Sequence, residues 1–256
     1  MRRYKGIDAL INHKQYCRDK MPKKKQQPKG EEEVERAIKL AKPSSEMETF
    51  GVSKEVADIL SPKHRIALQL QGELDGTLES YMVLMLIKPE LYTTTSIELA
   101  KYFTQVLGLS GIYLTLNKPY EDLVEMLEDE GIDADKIYFI DCISKLTGRR
   151  TEGLGKNCIF VDSPQALAQI TTALQKLLSI VKEGEQRFMV FDSISTLLVY
   201  YDKEPVGKFT HFMIGMIRKW KLRGVLLMVE EGDKRGATEM MSLFCDRVVK
   251  IDHTEL

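Results

Sequence analysis

Five stretches of this chain are predominantly apolar, with charged residues only at their ends, and are no longer than a strand. Tyr81–Ile87 reads YMVLMLI, Gly111–Leu116 reads GIYLTL, Lys136–Asp141 reads KIYFID, Arg187–Asp192 reads RFMVFD and Gly224–Glu230 reads GVLLMVE. A strand wetted on one face alternates apolar and polar residues, so a run without alternation is covered on both. One-sided patterns of helical length lie between these runs. Thr94–Leu107 carries Ile97, Leu99, Ala100, Phe103, Val106 and Leu107 and stops at Gly108. Pro119–Glu130 opens on proline and closes at Gly131, with Leu123, Val124, Met126 and Leu127 on its apolar side. Asp162-Ser163-Pro164 reads as the capped start of a helix to about Lys182, and Pro205–Lys221 and Thr238–Phe244 as two more. Asn157–Val161 and Arg247–Asp252 add short strands. The expected architecture is α/β: a doubly wound, mostly parallel sheet of about six or seven strands with helices on both faces. Ligands of such sheets sit outside the carboxyl ends of the strands, which selects the loops after Ile87, Leu116, Asp141 and Asp192.

The first 80 residues lack this order. Residues 1–43 hold thirteen basic and six acidic residues, a surplus of seven, although the whole chain carries a net charge of −1. Met21–Gly30 has no apolar periodicity and too little to bury to offset its ordering entropy, so it reads as disordered linker. Tyr4–Tyr16 and Glu31–Ala41 have the spacing of short helices. Residues 1–45 are therefore expected to form a basic, partly disordered tail and linker, and residues 46–256 the α/β domain. In residues 46–79, Val52–Leu60 reads as a short helix and Arg65–Leu70 as a strand. Lys23, Lys24 and Lys25 offer a patch for nucleic acid or anionic lipid. No aromatic residue interleaves them, as a single-strand binder requires.

Composition excludes several classes. No run of about 18 apolar residues is present, which argues against a membrane span. The basic start Met1-Arg2-Arg3 is not followed by an apolar stretch, which argues against a secretory signal. Cys17, Cys142, Cys158 and Cys245 form no CxxC pair, and the four histidines are scattered. That pattern fits a reducing cytoplasm and offers neither a disulfide framework nor a metal cluster. Ser193 and Ser195 follow a strand without the G-x-S-x-G elbow of a hydrolase.

Four phrases carry a family resemblance. They are the strand, loop and helix of Tyr81–Leu107; Leu116-Asn117-Lys118-Pro119-Tyr120-Glu121 with the later Gly131-Ile132-Asp133 and Phe139-Ile140-Asp141; Phe188-Met189-Val190-Phe191-Asp192-Ser193; and Cys245-Asp246-Arg247-Val248-Val249. In this order and spacing, over about two-thirds of the chain, they resemble the RecA-like P-loop ATPases and most closely the archaeal KaiC-like branch. The resemblance implies an ATP·Mg site: a phosphate loop after Ile87, a water-activating glutamate after Leu116, and Asp192 as a ligand of magnesium-bound water.

The departures from that pattern are as informative. A working loop reads G-x-x-x-x-G-K-[ST], its backbone N–H groups wrapping the phosphates and its lysine reaching the β and γ oxygens. Here the stretch is Lys88-Pro89-Glu90-Leu91-Tyr92-Thr93-Thr94-Thr95-Ser96. Lys88 and Thr93 stand at the glycine positions, Thr94 replaces the lysine and Thr95 takes the magnesium-ligand position. No glycine lies between Ile87 and Gly108, and Glu90 places a negative charge where a polyanion would lie. At the glutamate position stands Asn117, which cannot act as a carboxylate base.

The expected function is a catalytically inactive, pseudo-ATPase KaiC/RecA-like domain that binds protein partners, itself included, in a regulatory role. Its vestigial pocket comprises Lys88, Thr94, Thr95, Ser96, Asn117 and Asp192. No cofactor or metal is expected, with ATP and magnesium the disfavoured option. Two alternatives stay open: an ATP-binding sensor that does not hydrolyse, and a nucleic-acid-associated protein using its basic tail.

Overall fold

The computed structural model describes residues 61–75, 79–180, 186–230 and 236–252. All belong to the second of two units of the chain, Thr49–Leu256. The readings made for Tyr4–Tyr16, Lys23–Lys25, Glu31–Ala41 and Val52–Leu60 lie outside the described residues.

Seven strands form one sheet: β1 (Tyr81–Ile87), β2 (Ser110–Thr115), β3 (Ile137–Asp141), β4 (Cys158–Phe160), β5 (Arg187–Asp192), β6 (Arg223–Val229) and β7 (Arg247–Ile251). Their order is β4-β3-β2-β5-β6-β1-β7. Every pairing is parallel, so the sheet is wholly rather than mostly parallel. The unbroken apolar runs are explained by covering on both sides: all residues of β1 and β5 are buried. One face meets α1 (Pro62–Leu74), α2 (Tyr92–Lys101) and α3 (Tyr120–Asp129) through Ile66, Leu70, Leu99, Leu123 and Leu127. The other meets α4 (Leu167–Ile180), α5 (Ile194–Tyr200), α6 (Lys203–Lys219) and α7 (Ala237–Ser242) through Ile170, Leu174, Leu197, Met213 and Met241. The fold is the expected doubly wound α/β sheet with helices on both faces.

Local chemistry explains where the elements begin and end. Gly131, at φ +72°, follows α3 and donates to Glu128 O at 2.9 Å, while Ile132 N–H reaches Leu127 O at 2.9 Å. This is a Schellman stop, sealed by Ile132 and Leu127 inside the same apolar cluster. After α2 the ladder widens to a π turn over Tyr102–Val106. Within it Phe103 stacks on Phe188 of β5, with ring centroids 4.6 Å apart. Gly111 of β2 lies beneath that stack, where a Cβ would come within 2.4 Å of the Phe188 ring.

Four readings are corrected. Arg65–Leu70 is not a strand but part of α1: Ser61 caps the helix by accepting from His64 N–H at 3.4 Å, Pro62 stands in its first turn, and Ile66, Leu70 and Leu74 recur every four residues on the buried side. The helix expected from Asp162-Ser163-Pro164 starts later, at Leu167, because a turn closed by Ala166 N–H on Ser163 O at 3.0 Å comes first. The helix expected from Thr94 starts at Tyr92, after a 3₁₀ turn at Pro89–Leu91. Helix α5, directly after Asp192, was not expected.

Two substitutions test this packing. Gly111→Ala should destabilise the fold by about 1–3 kcal/mol through overpacking against Phe188, read by chemical denaturation. Glu98 of α2 is only 4% exposed, and its nearest cation, Lys63 Nζ, is 3.8 Å away and also paired with Glu130. Burial raises the Glu98 carboxyl above the ordinary glutamate range, more than the nearby Lys101 and Lys63 lower it. The folded state therefore binds this proton more tightly than the unfolded state. The group's stabilising contribution is complete below the unfolded value of about 4.3 and is lost as pH rises through the folded value. Glu98→Gln should raise the melting temperature at pH 7, and that gain should vanish toward pH 4.

Candidate functional site

The carboxyl ends of β1, β2 and β5 meet above the sheet. β2 is flanked by β3 on one side and β5 on the other. The chain leaves β2 through α3 toward β3, and leaves β5 through α5 and α6 toward β6. These opposite exits make β2/β5 the switch point at which such sheets place their ligands. Thr115 and Asp192 are register partners there.

Asp192, the last residue of β5, is 2% exposed. Its Oδ1 accepts from the Tyr92 hydroxyl and from Asn117 Nδ2 at 2.7 Å, and its Oδ2 from the Tyr113 hydroxyl at 2.5 Å. Tyr92 is the first residue of α2, Tyr113 belongs to β2, and Asn117 lies in the loop after β2. Asn117 Nδ2 also reaches the Tyr92 hydroxyl at 2.9 Å and Ser193 Oγ at 3.3 Å. Thr196 of α5 donates to Asn117 Oδ1. Lys118 caps the cluster, its Nζ 3.3 Å from Thr93 Oγ1 and 5.7 Å from the centre of the Tyr92 ring.

The electrostatics match a closed site. Burial raises the Asp192 carboxyl above its ordinary value, against the lowering effect of its tyrosine and asparagine donors and of Lys118. Tyr92 and Tyr113 are both pushed upward, first by burial and then by the Asp192 charge. Both phenols therefore remain protonated and serve as donors.

Of the six residues expected to form the pocket, the structure joins Asn117 and Asp192 directly. Ser96 borders the network: its hydroxyl donates to Tyr92 O at 2.9 Å and its side chain also hydrogen-bonds Tyr113. Lys88 holds the turn after β1 through its carbonyl, which accepts from Leu91 N–H at 2.9 Å. Thr94 lies half-buried in the first turn of α2. Thr95 is fully buried, and its Oγ1 has no hydrogen-bond partner among the described residues. Sequence reasoning missed Tyr92, Tyr113, Lys118 and Thr196. The available signal was Tyr113, a tyrosine in an otherwise apolar strand, because a buried phenol must find an acceptor.

The residues present do not fit a triphosphate with magnesium. The 3₁₀ turn at Pro89–Leu91 runs directly into α2, so no glycine-lined nest of backbone N–H groups forms. The carboxylate that would hold the ion's water already accepts three internal donors. Among the described residues no group of three or more His, Cys, Asp or Glu side chains is placed to hold a metal ion.

No protein-family profile matches the chain, and no curated protein matches it. Solved structures do. An uncharacterised protein of Pyrococcus horikoshii, crystallised with an unknown peptide, aligns with a TM-score of 0.52 at 12% identity, over 72% of this chain and 82% of its own. A KaiC-like protein from Pyrococcus horikoshii OT3 aligns with a TM-score of 0.48 at 13% identity, over 69% and 74%. Likeness at this identity concerns the fold alone, and with the strand order it bears out the doubly wound α/β architecture.

If Asp192 is an internal acceptor, its neighbours depend on it. Tyr92→Phe should cost about 1.5–3 kcal/mol, the range for a hydrogen bond to a charged group. Asp192→Ala, which strands three donors, should cost more. Thr94→Ala, outside the network, should stay within about 0.5 kcal/mol. Urea denaturation of the three variants checks the order, and an unchanged or more stable Asp192→Ala protein contradicts it.

Proposed function

We propose that this chain is a pseudo-ATPase, a RecA-like domain that has lost ATP hydrolysis and acts by binding other proteins in a regulatory role. The observation that carries the reading is the Tyr92–Asp192 contact. The helix that would follow a phosphate loop places a phenol on the carboxylate that would serve the metal. Asn117 in place of a glutamate removes the water-activating base, and here its amide is spent on Asp192, Tyr92 and Ser193. Phosphate anchoring, metal binding and water activation are separate requirements of hydrolysis, and this site opposes each of them. A fold does not confer an activity, and the same scaffold without these groups keeps its surfaces for partners. Among the described residues, no helix is long and apolar enough to cross a membrane.

Turnover and binding are measured together on the full chain. With ATP and Mg²⁺ the expected result is no phosphate release above background and no thermal shift. Turnover of about 1 per second overturns the reading. A ligand at about 100 times its Kd adds about 2.7 kcal/mol of stability. A shift of that size without turnover moves the conclusion to an ATP-binding sensor.

A further inference from the structure

Two helices of this domain are strongly charged, with opposite sign, and they lie on opposite faces of the sheet. Helix α3 has five acidic residues, Glu121, Asp122, Glu125, Glu128 and Asp129, and no basic one. Helix α6 has four basic residues, Lys203, Lys208, Arg218 and Lys219, against one acidic, Glu204. No other described α-helix departs from neutrality by more than one charge. The sheet and its two buried layers stand between α3 and α6, so their charges cannot meet within one copy.

The outer side of α6 is built as a contact surface. Lys208, Phe212, Gly215 and Lys219 recur at steps of four, three and four, which aligns them along one side of the helix, and all four are exposed. Phe212 is 48% exposed, and the chain after α7 adds Leu243 at 81%, next to Phe244, whose ring lies 5.1 Å from that of His211. Exposed apolar groups rimmed by polar ones mark interaction sites. Gly215 has no atom within 4 Å of where a Cβ would stand, although glycine inside a helix is less stable than a longer straight-chain residue. A bare position there lets another helix approach the backbone. Arg218 is held by Asp246 at 2.8 Å, whereas Lys208 and Lys219 make no ion pair among the described residues.

The complement of that surface is on the chain itself. On α3 the outward line is Glu121, Glu125 and Glu128, at steps of four and three, all exposed. Asp122 is taken by Arg149, but Glu125 and Glu128 make no ion pair among the described residues. At 1.5 Å per residue the acidic line spans about 10 Å and the line from Lys208 to Lys219 about 16 Å. The four-carbon stems of the two lysines cover the difference. The helices can therefore lie along one another in either direction with opposite charges facing, and half-buried Val124 beside the acidic line offers Phe212 an apolar neighbour. A net charge of −1 on the whole chain adds no general repulsion between copies.

We propose that the outer side of α6 is the docking face for α3 of a second copy, so that copies of this chain associate head to tail. The occupant is a second copy because the acidic helix that complements this face lies where only another copy can present it. A contact between two different surfaces is heterologous, and it closes into a ring or extends copy by copy. This deepens the interaction half of the proposed function and rests on it. The turnover assay tests the loss of hydrolysis separately, so either can fail alone.

The experiment is sedimentation velocity on the full chain at micromolar concentrations in about 0.1 M salt, where charges act over about 10 Å. The wild type should sediment as a species larger than the monomer. One double variant carries Glu125→Lys and Glu128→Lys on α3, the other Lys208→Glu and Lys219→Glu on α6, all at exposed positions. Each should be monomeric, since each sets like charges face to face. An equimolar mixture of the two should regain the assembly, because the altered α3 of one then meets the altered α6 of the other with opposite sign. Where a double variant fails to fold, as read by circular dichroism, the single changes Glu125→Lys and Lys219→Glu take its place. A monomeric wild type, an assembly unmoved by either variant, or a mixture of folded variants that stays monomeric each overturns the proposal. Gly215→Gln supplies an independent reading. It should melt at a higher temperature than the wild type, through its better helix propensity, yet lose part of the assembly. Undiminished assembly of that variant also overturns the proposal.

Discussion

A carboxylate that ends a central strand, with almost no exposure to water, is costly unless donors surround it. Asp192 is in that position, and its three donors come from three parts of the chain: the start of α2, the middle of β2 and the loop after β2. The contact is therefore structural as well as chemical. It ties the segment after β1 to the end of β5 across the intervening β6. It also fixes Tyr92, and with it the path of the chain where a phosphate loop would otherwise open. On the proposed reading, an ion would need the lone pairs these donors occupy.

The scaffold around this contact is ordinary for its class. Among the described residues, parallel strands are covered by three helices on one face and four on the other, and the two strand exits diverge at the usual switch point. On the proposed reading, the catalytic apparatus has changed while the frame has not. Lys118 illustrates the substitution: a cation is present beside the site, but it comes from the loop after β2 and rests against Thr93 and the Tyr92 ring. It offsets the charge of Asp192, as its lowering effect on that carboxyl indicates.

The sheet was legible because full burial leaves its own mark on sequence. β1 is apolar at every position, and β5 at every position between Arg187 and Asp192, for the same reason that every residue in them is buried. Gly108 and Gly131 were legible as stops because both need positive φ, at +68° and +72°. Helix α5 was not, since it begins two residues after a strand and is rich in the β-branched Ile194, Thr196 and Val199, which weaken helical propensity. Helix α1 was misread because Ala67 and Leu68 blur the four-residue spacing of Ile66, Leu70 and Leu74, while its Ser61-Pro62 start was overlooked. In the site, Asn117 and Asp192 followed from their places at strand ends. Tyr92 could not be assigned from local pattern, because its meaning lies in an acceptor 100 positions away that only the closed sheet brings near.

The most direct test of the closed cradle is a crystal structure determined from crystals grown with excess ATP and Mg²⁺. The account predicts the Tyr92 hydroxyl on Asp192 and no nucleotide density at the ends of β1 and β5. Tyr92 swung aside, with a triphosphate and a metal ion lying between Thr94 and Asp192, would contradict it.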